Sequence, residues 1–392
     1  MGNLVTIPPN RDELRALTAL RRELHQMAEL SGAEWATAAR ITGELEALGC
    51  DTIVEGLGGH GVAAELRGAR PGPTVLLRAD LDALPIAETI DLEHGSRNSG
   101  VAHKCGHDGH MTMAVGVARR VAAARPNHGR LVVLFQPAEE TGEGAAAVLG
   151  DPAFSGLRPD VAIAVHNLPG FELGEVVLRP GPFACASRGL TIELEGATSH
   201  AAEPDHGRSP ALAVAQIIES WTAARQLFTG FGDSVVATVV HASLGERAFG
   251  TSPGSGSVSA TIRAETDELI EPVERRLREL GQRIAEVWEL SSTLSLHEVF
   301  PATLNDPEVV SVVSDVARRS GLAIREPSGV FSWSEDFGHF GTIAPSALIG
   351  LGAGVGQPAL HHPTYDFPDE LIPTGVELLE AAIRNWIGRD EG

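Results

Sequence analysis

The chain has 392 residues, of which 43% are hydrophobic, and its 52 acidic residues outnumber its 30 lysines and arginines to give a formal net charge of −22. This length allows a sizeable core and suggests two domains, since a domain commonly has about 100–200 residues. The negative charge argues against nucleic acid and anionic membrane as partners, and no apolar run approaches the roughly 18 residues of a transmembrane helix.

The cysteines and the N-terminal residues indicate the compartment. Cys50, Cys105 and Cys185 are sparse and odd in number, which predicts reduced thiols rather than a disulfide framework. Residues 1–10 lack the charged start and the long apolar core of a signal peptide. We therefore expect a cytoplasmic protein without a membrane segment.

Periodic apolar residues predict an α/β domain in the first half of the chain. Leucines at helical spacing predict a helix over residues 11–29, and a second helix over 34–48 ends at Gly49. Strands and helices that alternate in this way are typical of a mostly parallel sheet. The next predicted elements are buried strands over 74–80, 130–137 and 160–167 and an Ala/Val-rich helix over 108–124.

The pattern changes near residue 184, which predicts an inserted α+β unit. Its predicted elements are an alternating strand over 188–197, a helix over 209–227, the strands "SVVATVVHASL" and "SGSVSATIRAE", and a charged helix over 268–289. The α/β pattern then resumes with a strand over 346–352 and a closing helix over 374–388. We predict a domain over 1–183, the inserted unit over 184–296, and a return to the first domain over 297–392.

Polar clusters follow the predicted strands, where an α/β sheet usually carries its chemistry. Asp80 and Asp82 close the strand over 74–80, and at i and i+2 of an extended segment their carboxylates point the same way. In "HKCGHDGH" one glycine separates Cys105 from His107, so a thiolate and an imidazole can face one cation. This pair suits Zn, Fe, Co or Ni better than Mg or Ca, although a buried cysteine beside surface histidines is the common alternative.

The adjacent Glu139 and Glu140 follow the strand over 130–137, and such a pair repels unless a cation neutralises it. Because adjacent side chains diverge, one glutamate could bind a metal while the other faces the substrate as a general base. An exposed acidic loop is the alternative. Single histidines, each more often structural than a ligand, add to this set at His166, His200, His361 and His362. Together the clusters supply the ligands of a two-metal hydrolase.

The motifs "CGHDGH", "QPAEE", "SHAAEP" and "SEDF", in this order between "ELHQMAEL" and "HHPTYDF", resemble the M20 metallopeptidase superfamily. They are most similar to its amidohydrolase branch of N-acyl-amino-acid, hippurate and auxin-conjugate hydrolases. The resemblance implies a zinc-peptidase-like three-layer α/β catalytic domain with an inserted α+β lid, and a homodimer through the lid. It also implies two divalent ions per subunit, Zn, Mn, Co or Ni, and hydrolysis of an N-acyl amino acid or similar small amide by a metal-activated water.

Carried over by motif, the resemblance implies a role for each site residue. Glu139 would be the general base and later the proton donor, and Asp82 would orient the site. His200 of the lid would stabilise the oxyanion, from its own or the partner subunit. The implied metal ligands are Cys105, His107, Glu140, His166 and His361. Of the remaining residues in "HKCGHDGH", His103 and His110 would support the ligands and Asp108 would cap the following helix.

Some residues depart from the family pattern or leave alternatives open. Lys104 stands where a small residue is more usual, and its cation could lower the thiol pKa or pair with an acid. Gly250 of "FGTSPG" replaces an asparagine that helps to hold the substrate carboxylate in many relatives. His362 competes with His361 for the ligand role. Glu335 and Asp336 of "SEDF" could shape the substrate pocket or simply start a helix.

Other functions remain open at this stage. A dipeptidase or a carbamoyl-amino-acid hydrolase would use the same scaffold. A non-catalytic metal-binding protein is disfavoured because Glu139 and every implied ligand are present. A nucleic-acid binder conflicts with the charge of −22.

Overall fold

A computed structural model describes residues 10–230, 232 and 234–388. These residues divide into two units by their internal contacts. The first unit comprises residues 10–183, Thr303–Gly329 and 336–388, and the second comprises Ala184–Ala302, apart from residues 231 and 233, and Val330–Glu335. The N-terminal stretch examined for a signal peptide lies outside the described residues except for Asn10.

The helices and strands are numbered along the chain. The helices are α1 (Arg11–Gln26), α2 (Trp35–Ala47), α3 (His107–Ala123), α4 (Gly144–Gly150), α5 (Ala211–Thr222), α6 (Ala224–Phe228), α7 (Asp267–Val287), α8 (Pro307–Arg319) and α9 (Leu371–Ile387). Short 3-10 helices span Pro152–Leu157, Pro204–His206 and Asp336–Thr342. The strands are β1 (Thr52–Leu57), β2 (Gly61–Arg67), β3 (Arg70–Asp80), β4 (His128–Gln136), β5 (Val161–Pro169), β6 (Val176–Val177), β7 (Gly181–Ala184), β8 (Ala186–Glu195), β9 (Ser199–His200), β10 (Val235–Leu244), β11 (Thr251–Ser252), β12 (Ser255–Ala264), β13 (Ser291–Phe300), β14 (Thr303–Asn305), β15 (Ile324–Arg325) and β16 (Ser346–Gly354).

The first unit is built on a mixed sheet in the order β1-β2-β4-β3-β5-β16-β6-β15. Its centre is parallel, since β3 pairs in parallel with both β4 and β5, and β5 pairs in parallel with β16. The antiparallel β1 and β2 extend the sheet beyond β4. The carboxyl ends of the four central strands therefore meet at one edge, as expected for a ligand site in an α/β fold.

Helices cover both faces of this sheet and give three layers, as predicted. Side chains alternate between the faces of a strand. Val75 and Leu77 of β3 thus join a core with apolar residues of α1, α2, α3, α8 and α9. Leu76, between them, is buried on the opposite face. There α4 and the 3-10 helices Pro152–Leu157 and Asp336–Thr342 contact the strands.

Local sequence explains where several of these helices begin. The side chain of Asn10 accepts hydrogen bonds from the amides of Asp12 and Glu13, which caps α1. Asp306 caps α8 in the same way, and Pro307 follows at the first helical position, where its missing amide proton is not needed. These caps fix the start of α1, which packs on α3 and α9, and of α8, which packs on β15, β16 and α9.

The second unit is built on an antiparallel sheet in the order β10-β12-β8-β13. Along β12 nearly every second residue is buried, because one face of the sheet packs on α5, α6 and α7. Trp221 is fully buried in this core, where its indole Nε1 donates to the Leu277 carbonyl at 3.1 Å. β10 lies at one edge of the sheet, and its Val236 and Val240 are exposed.

The predicted elements are present within a few residues of their expected bounds, except for the helix over 209–227. This helix is interrupted at Ala223, so it forms α5 and α6. No glycine or proline marks the interruption, so the sequence gives no sign of it.

Two further properties of the described part of the chain bear on its chemistry. No helix within it is both long and apolar enough to cross a bilayer. Cys50, Cys105 and Cys185 all lie within it, and none of them forms a disulfide.

Candidate metal centre

The predicted polar clusters meet at the carboxyl edge of the first unit's sheet. β3 ends at Asp80, opposite Gln136 at the end of β4, and His166 of β5 lies opposite a glycine of β16. α3 begins beside them after Gly106, which has a φ of +95°. A Cβ at Gly106 would lie 2.5 Å from Asn167 Oδ1, so glycine is required for this close approach.

His107 is the centre of the cluster. Its Nδ1 donates to the backbone oxygen of Asp82 at 2.9 Å, so its Nε2 faces carboxylate oxygens of Asp80, Glu139 and Glu140 at 3.8–3.9 Å. The ring is fully buried, and Nε2 has no hydrogen-bond partner among the described residues. A buried nitrogen among three carboxylates is a setting that a cation would satisfy.

Cys105 and His166 add a sulfur and a second imidazole. Cys105 Sγ lies 3.5 Å from His166 Nε2, and both residues are buried. His166 Nδ1 donates to the Asn167 carbonyl at 2.9 Å, which directs Nε2 toward the sulfur. The potential ligand atoms of Cys105, His107 and His166 all lie within 4.8 Å of one another.

Glu139 and Glu140 converge, so the prediction that their side chains diverge is wrong. Each places a carboxylate oxygen 3.8 Å from His107 Nε2. They lie in a turn after β4, where the alternation of an extended strand does not apply, and Ala138 before them has a φ of +52°. Glu139 is only 4% exposed, which excludes the alternative of an exposed acidic loop.

His361 lies closer to this cluster than its neighbour His362 does. His361 Nε2 is 3.6 Å from Glu140 Oε2, and its ligand atom groups with those of Glu140 and Cys105 within 4.8 Å. His362 is exposed, and its Nδ1 pairs with Thr364 Oγ1 at 2.8 Å. The geometry therefore favours His361 of the two candidates.

The cluster favours positive charge. Burial alone would lower the pKa of His107, but Asp80, Asp82 and Glu140 outweigh burial and raise it to about 10. Burial would raise the pKa of Asp82, but hydrogen bonds from His107 and Ser31 hold it below its usual value. A thiol, imidazoles and carboxylates together form a donor set that fits a divalent transition metal such as zinc.

Asp336 holds the sheet edge together. It is fully buried and accepts hydrogen bonds from Arg78 Nη2 at 2.5 Å, Gln136 Nε2 at 2.8 Å and the Ala145 amide at 2.8 Å. Arg78 Nη1 in turn lies 2.5 Å from Asp80 Oδ1. Asp336 thus starts a 3-10 helix and supports Asp80 through Arg78, in line with the helix-start alternative rather than a role in shaping the substrate pocket.

Asp108 does not cap α3, which corrects the prediction. The N-cap position is Gly106, and Asp108 Oδ2 accepts hydrogen bonds from His25 Nδ1 at 2.8 Å and Arg21 Nη1 at 3.3 Å. Burial would raise the pKa of Asp108, but the hydrogen bond and charge of His25, with Arg21, lower it well below its usual value. Asp108 thus joins α3 to α1 through these two contacts. His25 Nε2 also pairs with Glu88 Oε1 at 2.8 Å.

The other two histidines of "HKCGHDGH" lie beside the cluster. His110 Nε2 pairs with Asn167 Oδ1 at 2.6 Å, and its Nδ1 lies 3.3 Å from Asp80 Oδ2. His103 is buried, and neither of its ring nitrogens has a hydrogen-bond partner within the described part of the chain. Burial lowers the pKa of His103 to about 3.

His200, Gly250 and Glu335 belong to the second unit. His200 is exposed on β9, where it pairs with Thr251 of β11, and its Nδ1 accepts a hydrogen bond from the Ala202 amide at 3.1 Å. The Gly250 carbonyl accepts from the Ala201 amide at 3.0 Å. Glu335 is buried in this unit.

Sequence reasoning missed Asn167 and Tyr365. Asn167 Nδ2 donates to Tyr365 Oη at 2.6 Å while its Oδ1 pairs with His110, so it links β5, α3 and the segment after β16. A signal was present in each case, since Asn167 directly follows His166 and Tyr365 is the only tyrosine of the chain and lies in "HHPTYDF".

Comparisons with known proteins agree on one family. The family model described as Peptidase family M20/M25/M40 matches residues 76–385. An N-acetyl-L-cysteine deacetylase of Bacillus subtilis is 31% identical over 94% of this chain and 88% of its own. An N-acetyldiaminopimelate deacetylase of Enterococcus faecalis is 29% identical over 95% and 98%. A Bacillus subtilis structure described as a dinuclear metal binding peptidase from the M20 family is 25% identical, with a TM-score of 0.80 over 95% and 98% of the two chains.

Proposed function

Because the chain belongs to peptidase family M20/M25/M40, we propose that it is a metal-dependent amidohydrolase that cleaves the amide bond of an N-acyl amino acid or a similar small amide. The family resemblance drawn from the motifs is confirmed, and the chain is a hydrolase of this family. The deacetylase names of its relatives support the substrate class. The observation that carries the proposal is the convergence of Cys105, His107, His166, Glu139 and Glu140 at the carboxyl edge of one sheet.

We propose that two divalent ions, Zn, Mn, Co or Ni, are held by Cys105, His107, Glu140, His166 and His361. The buried Nε2 of His107 among carboxylates and the mixed sulfur, nitrogen and oxygen donor set support this assignment. When bound, such ions polarise a substrate carbonyl and make water more acidic. A thiol ligand requires a reducing environment, which supports a cytoplasmic location.

Glu139 is the proposed general base. It is buried among the potential ligands and shares their edge of the sheet. Its carboxylate would take a proton from the attacking water and return that proton to the leaving nitrogen. Asp82 would orient the site, since its carbonyl fixes His107 Nδ1 and its Oδ2 accepts from the Glu140 amide at 3.0 Å.

The inserted segment 184–296, which lies within the second unit, would act as the lid and dimerisation domain. His200 is its proposed contribution to the reaction, as a donor that stabilises the oxyanion from its own or the partner subunit.

The long edge strand β10 supports a dimer interface, because it leaves Val236, Val240 and Leu244 exposed. We therefore expect the parent protein to sediment as a dimer. Val240→Glu places a charge on β10 and should give a monomer, whereas the control Val287→Glu, at an exposed position of α7, should remain a dimer. A monomeric parent protein would contradict the dimer.

Hydrolysis by the purified protein tests the proposed function. N-acetyl, N-benzoyl and longer N-acyl amino acids, N-carbamoyl amino acids and dipeptides would each be assayed with added Mn, Zn or Co and with a chelator. We expect release of free amino acid from the N-acyl compounds, loss of this release with chelator, and recovery with metal. Preferential cleavage of dipeptides or N-carbamoyl compounds would favour the corresponding hydrolase. Metal binding without turnover of any substrate would favour a non-catalytic protein.

A further inference from the structure

We propose that Lys104 is a positioning residue that holds His361 at the metal centre. The inference rests on the proposed function, in which His361 is a metal ligand. Lys104 is the only lysine of the chain, and its side chain is fully buried. It directly precedes the proposed ligand Cys105 in the chain.

Lys104 holds both ends of the short segment 361–365. Its backbone carbonyl accepts a hydrogen bond from the His361 amide at 2.9 Å. Its Nζ donates to the Tyr365 carbonyl at 2.8 Å. One residue next to the candidate ligand Cys105 therefore fixes the first and the last residue of the segment that carries His361.

His361 needs such support because its side chain is only partly enclosed and its backbone conformation is strained. Its side chain is 50% exposed, unlike the buried His107 and His166. Its φ of +63° lies in the left-handed region, which non-glycine residues adopt only when neighbouring contacts impose it. The segment forms no helix or strand. Its internal hydrogen bonds, from the Tyr365 amide to the His362 carbonyl and between His362 Nδ1 and Thr364 Oγ1, hold the residues after His361, whereas the His361 amide donates outside the segment to Lys104.

The lysine side chain suits this task because its ammonium group carries several donors and because a carboxylate pairs with its positive charge. An ammonium group has three donors and no acceptor. Besides the Tyr365 carbonyl, Nζ contacts Glu88 Oε1 at 2.5 Å. The amide of the next residue, Thr89, donates to the Pro363 carbonyl at 3.2 Å, which fixes the middle of the same segment. A small residue at position 104 would retain the hydrogen bond from the His361 amide to its backbone carbonyl, and it would lose the hydrogen bond to the Tyr365 carbonyl.

A double-mutant cycle on metal binding tests the inference. Lys104→Met, His361→Ala and the double variant would be titrated with Mn²⁺ and with Zn²⁺ against a coloured competing chelator, and the bound metal per chain would be measured. We expect Lys104→Met to weaken the more weakly held ion by about 10–100-fold, as loss of a group that orients a ligand typically does. We expect the double variant to bind no more weakly than His361→Ala, because Lys104 acts through His361.

Arg384→Met provides the matched control. Arg384 is also buried, and it pairs with Glu380 within α9. Its loss should lower the midpoint of thermal unfolding without changing metal affinity. Circular dichroism establishes that each variant is folded, and Lys104→Ala serves as a second variant. If neither Lys104 variant folds, the residue is needed for the fold rather than for His361, and the inference is overturned.

The outcomes separate this inference from the proposed function. A parent protein that binds neither metal, or a His361→Ala variant that binds both ions normally, would remove the proposed ligand role. Weakened binding in His361→Ala with unchanged binding in Lys104→Met would overturn only the role of Lys104. Fully additive losses in the double variant would also overturn it, because they would show that Lys104 acts independently of His361.

Discussion

Ala138 shows how one backbone conformation places two carboxylates. Its φ of +52° is left-handed, which costs a non-glycine residue about 1–2 kcal/mol. Glu34 imposes the turn, since its Oε1 accepts hydrogen bonds from the Ala138 amide at 2.8 Å and from the Gly32 amide at 2.9 Å. The strain coincides with the point at which the next two residues reach His107, as strained residues at functional sites often do.

Glu139→Gln is the sharpest prediction at the scale of one residue. The substitution retains size and removes the base, so kcat should fall by about 10²–10⁴-fold, the range for a lost general acid–base group. Fold and metal content should be unchanged, as judged by circular dichroism and metal analysis. Glu143→Gln, an exposed glutamate in the same turn region, is the matched control and should retain full activity. A fully active Glu139→Gln protein would exclude Glu139 as the general base.

At the scale of elements, Asp336 joins β3, β4 and the start of α4 through buried hydrogen bonds. Asp336→Ala removes one carboxylate partner of the fully buried Arg78, and removal of one partner of a buried ion pair costs about 3–5 kcal/mol. Urea denaturation should show a loss of this size in the free energy of unfolding. Asp315→Ala breaks an exposed pair with Arg318 on α8, and it should cost less than about 1 kcal/mol. Equal effects of the two variants would contradict the assigned role of Asp336.

The contact between α1 and the segment at Glu88 makes stability depend on pH. Burial would lower the pKa of His25, but hydrogen bonds to Asp108 and Glu88 raise it from 6.5 to about 9. Its contribution to stability is complete below pH 6.5 and is lost as the pH rises through 9. Burial would raise the pKa of Glu88, but His25 and Lys104 lower it from 4.5 to about 2. Its contribution is complete above pH 4.5 and is lost as the pH falls toward 2.

His25→Gln tests the alkaline side of this dependence. Between pH 6 and pH 9.5 the parent protein should lose about 3 kcal/mol more unfolding free energy than the variant, since one pKa unit corresponds to about 1.4 kcal/mol. Urea denaturation at both pH values, with chelator present throughout, measures the difference. His297→Gln replaces an exposed histidine of β13 and should behave like the parent protein. If His25→Gln and the parent protein lose the same unfolding free energy between the two pH values, the raised pKa of His25 would be refuted.

The sequence predicted those parts of the fold and the site that depend on near neighbours along the chain. The apolar runs of β3, β4 and β5 are local signals, and Cys105 and His107 were found because two ligand types lie two residues apart. The partners of Asp108 were not predictable, because His25 lies 83 residues away and meets it only after α1 packs on α3. The convergence of Glu139 and Glu140 was also missed, since it depends on the turn at Ala138.

At the scale of the whole molecule, four carboxylates, those of Asp80, Asp82, Glu139 and Glu140, lie around His107 in a chain whose net charge is already −22. Removal of divalent ions should therefore lower the midpoint of thermal unfolding. A ligand bound only to the folded state at about 1,000 times its Kd adds about 4 kcal/mol. Differential scanning calorimetry with chelator, and then with excess Mn²⁺ or Zn²⁺, measures the loss and its recovery, with Mg²⁺ as the comparison ion. If the midpoint of thermal unfolding is the same with chelator and with added metal as without either, the result would argue against a bound ion.

The single buried lysine also makes the protein its own reporter of local opening. A lysine-specific endoproteinase can cut this chain only between Lys104 and Cys105, which yields residues 1–104 and 105–392. In the folded state the Lys104 carbonyl and Nζ are both engaged, so cleavage must wait until this segment opens. The rate at which two fragments appear on a gel thus measures how often one loop opens, without a label or an introduced site.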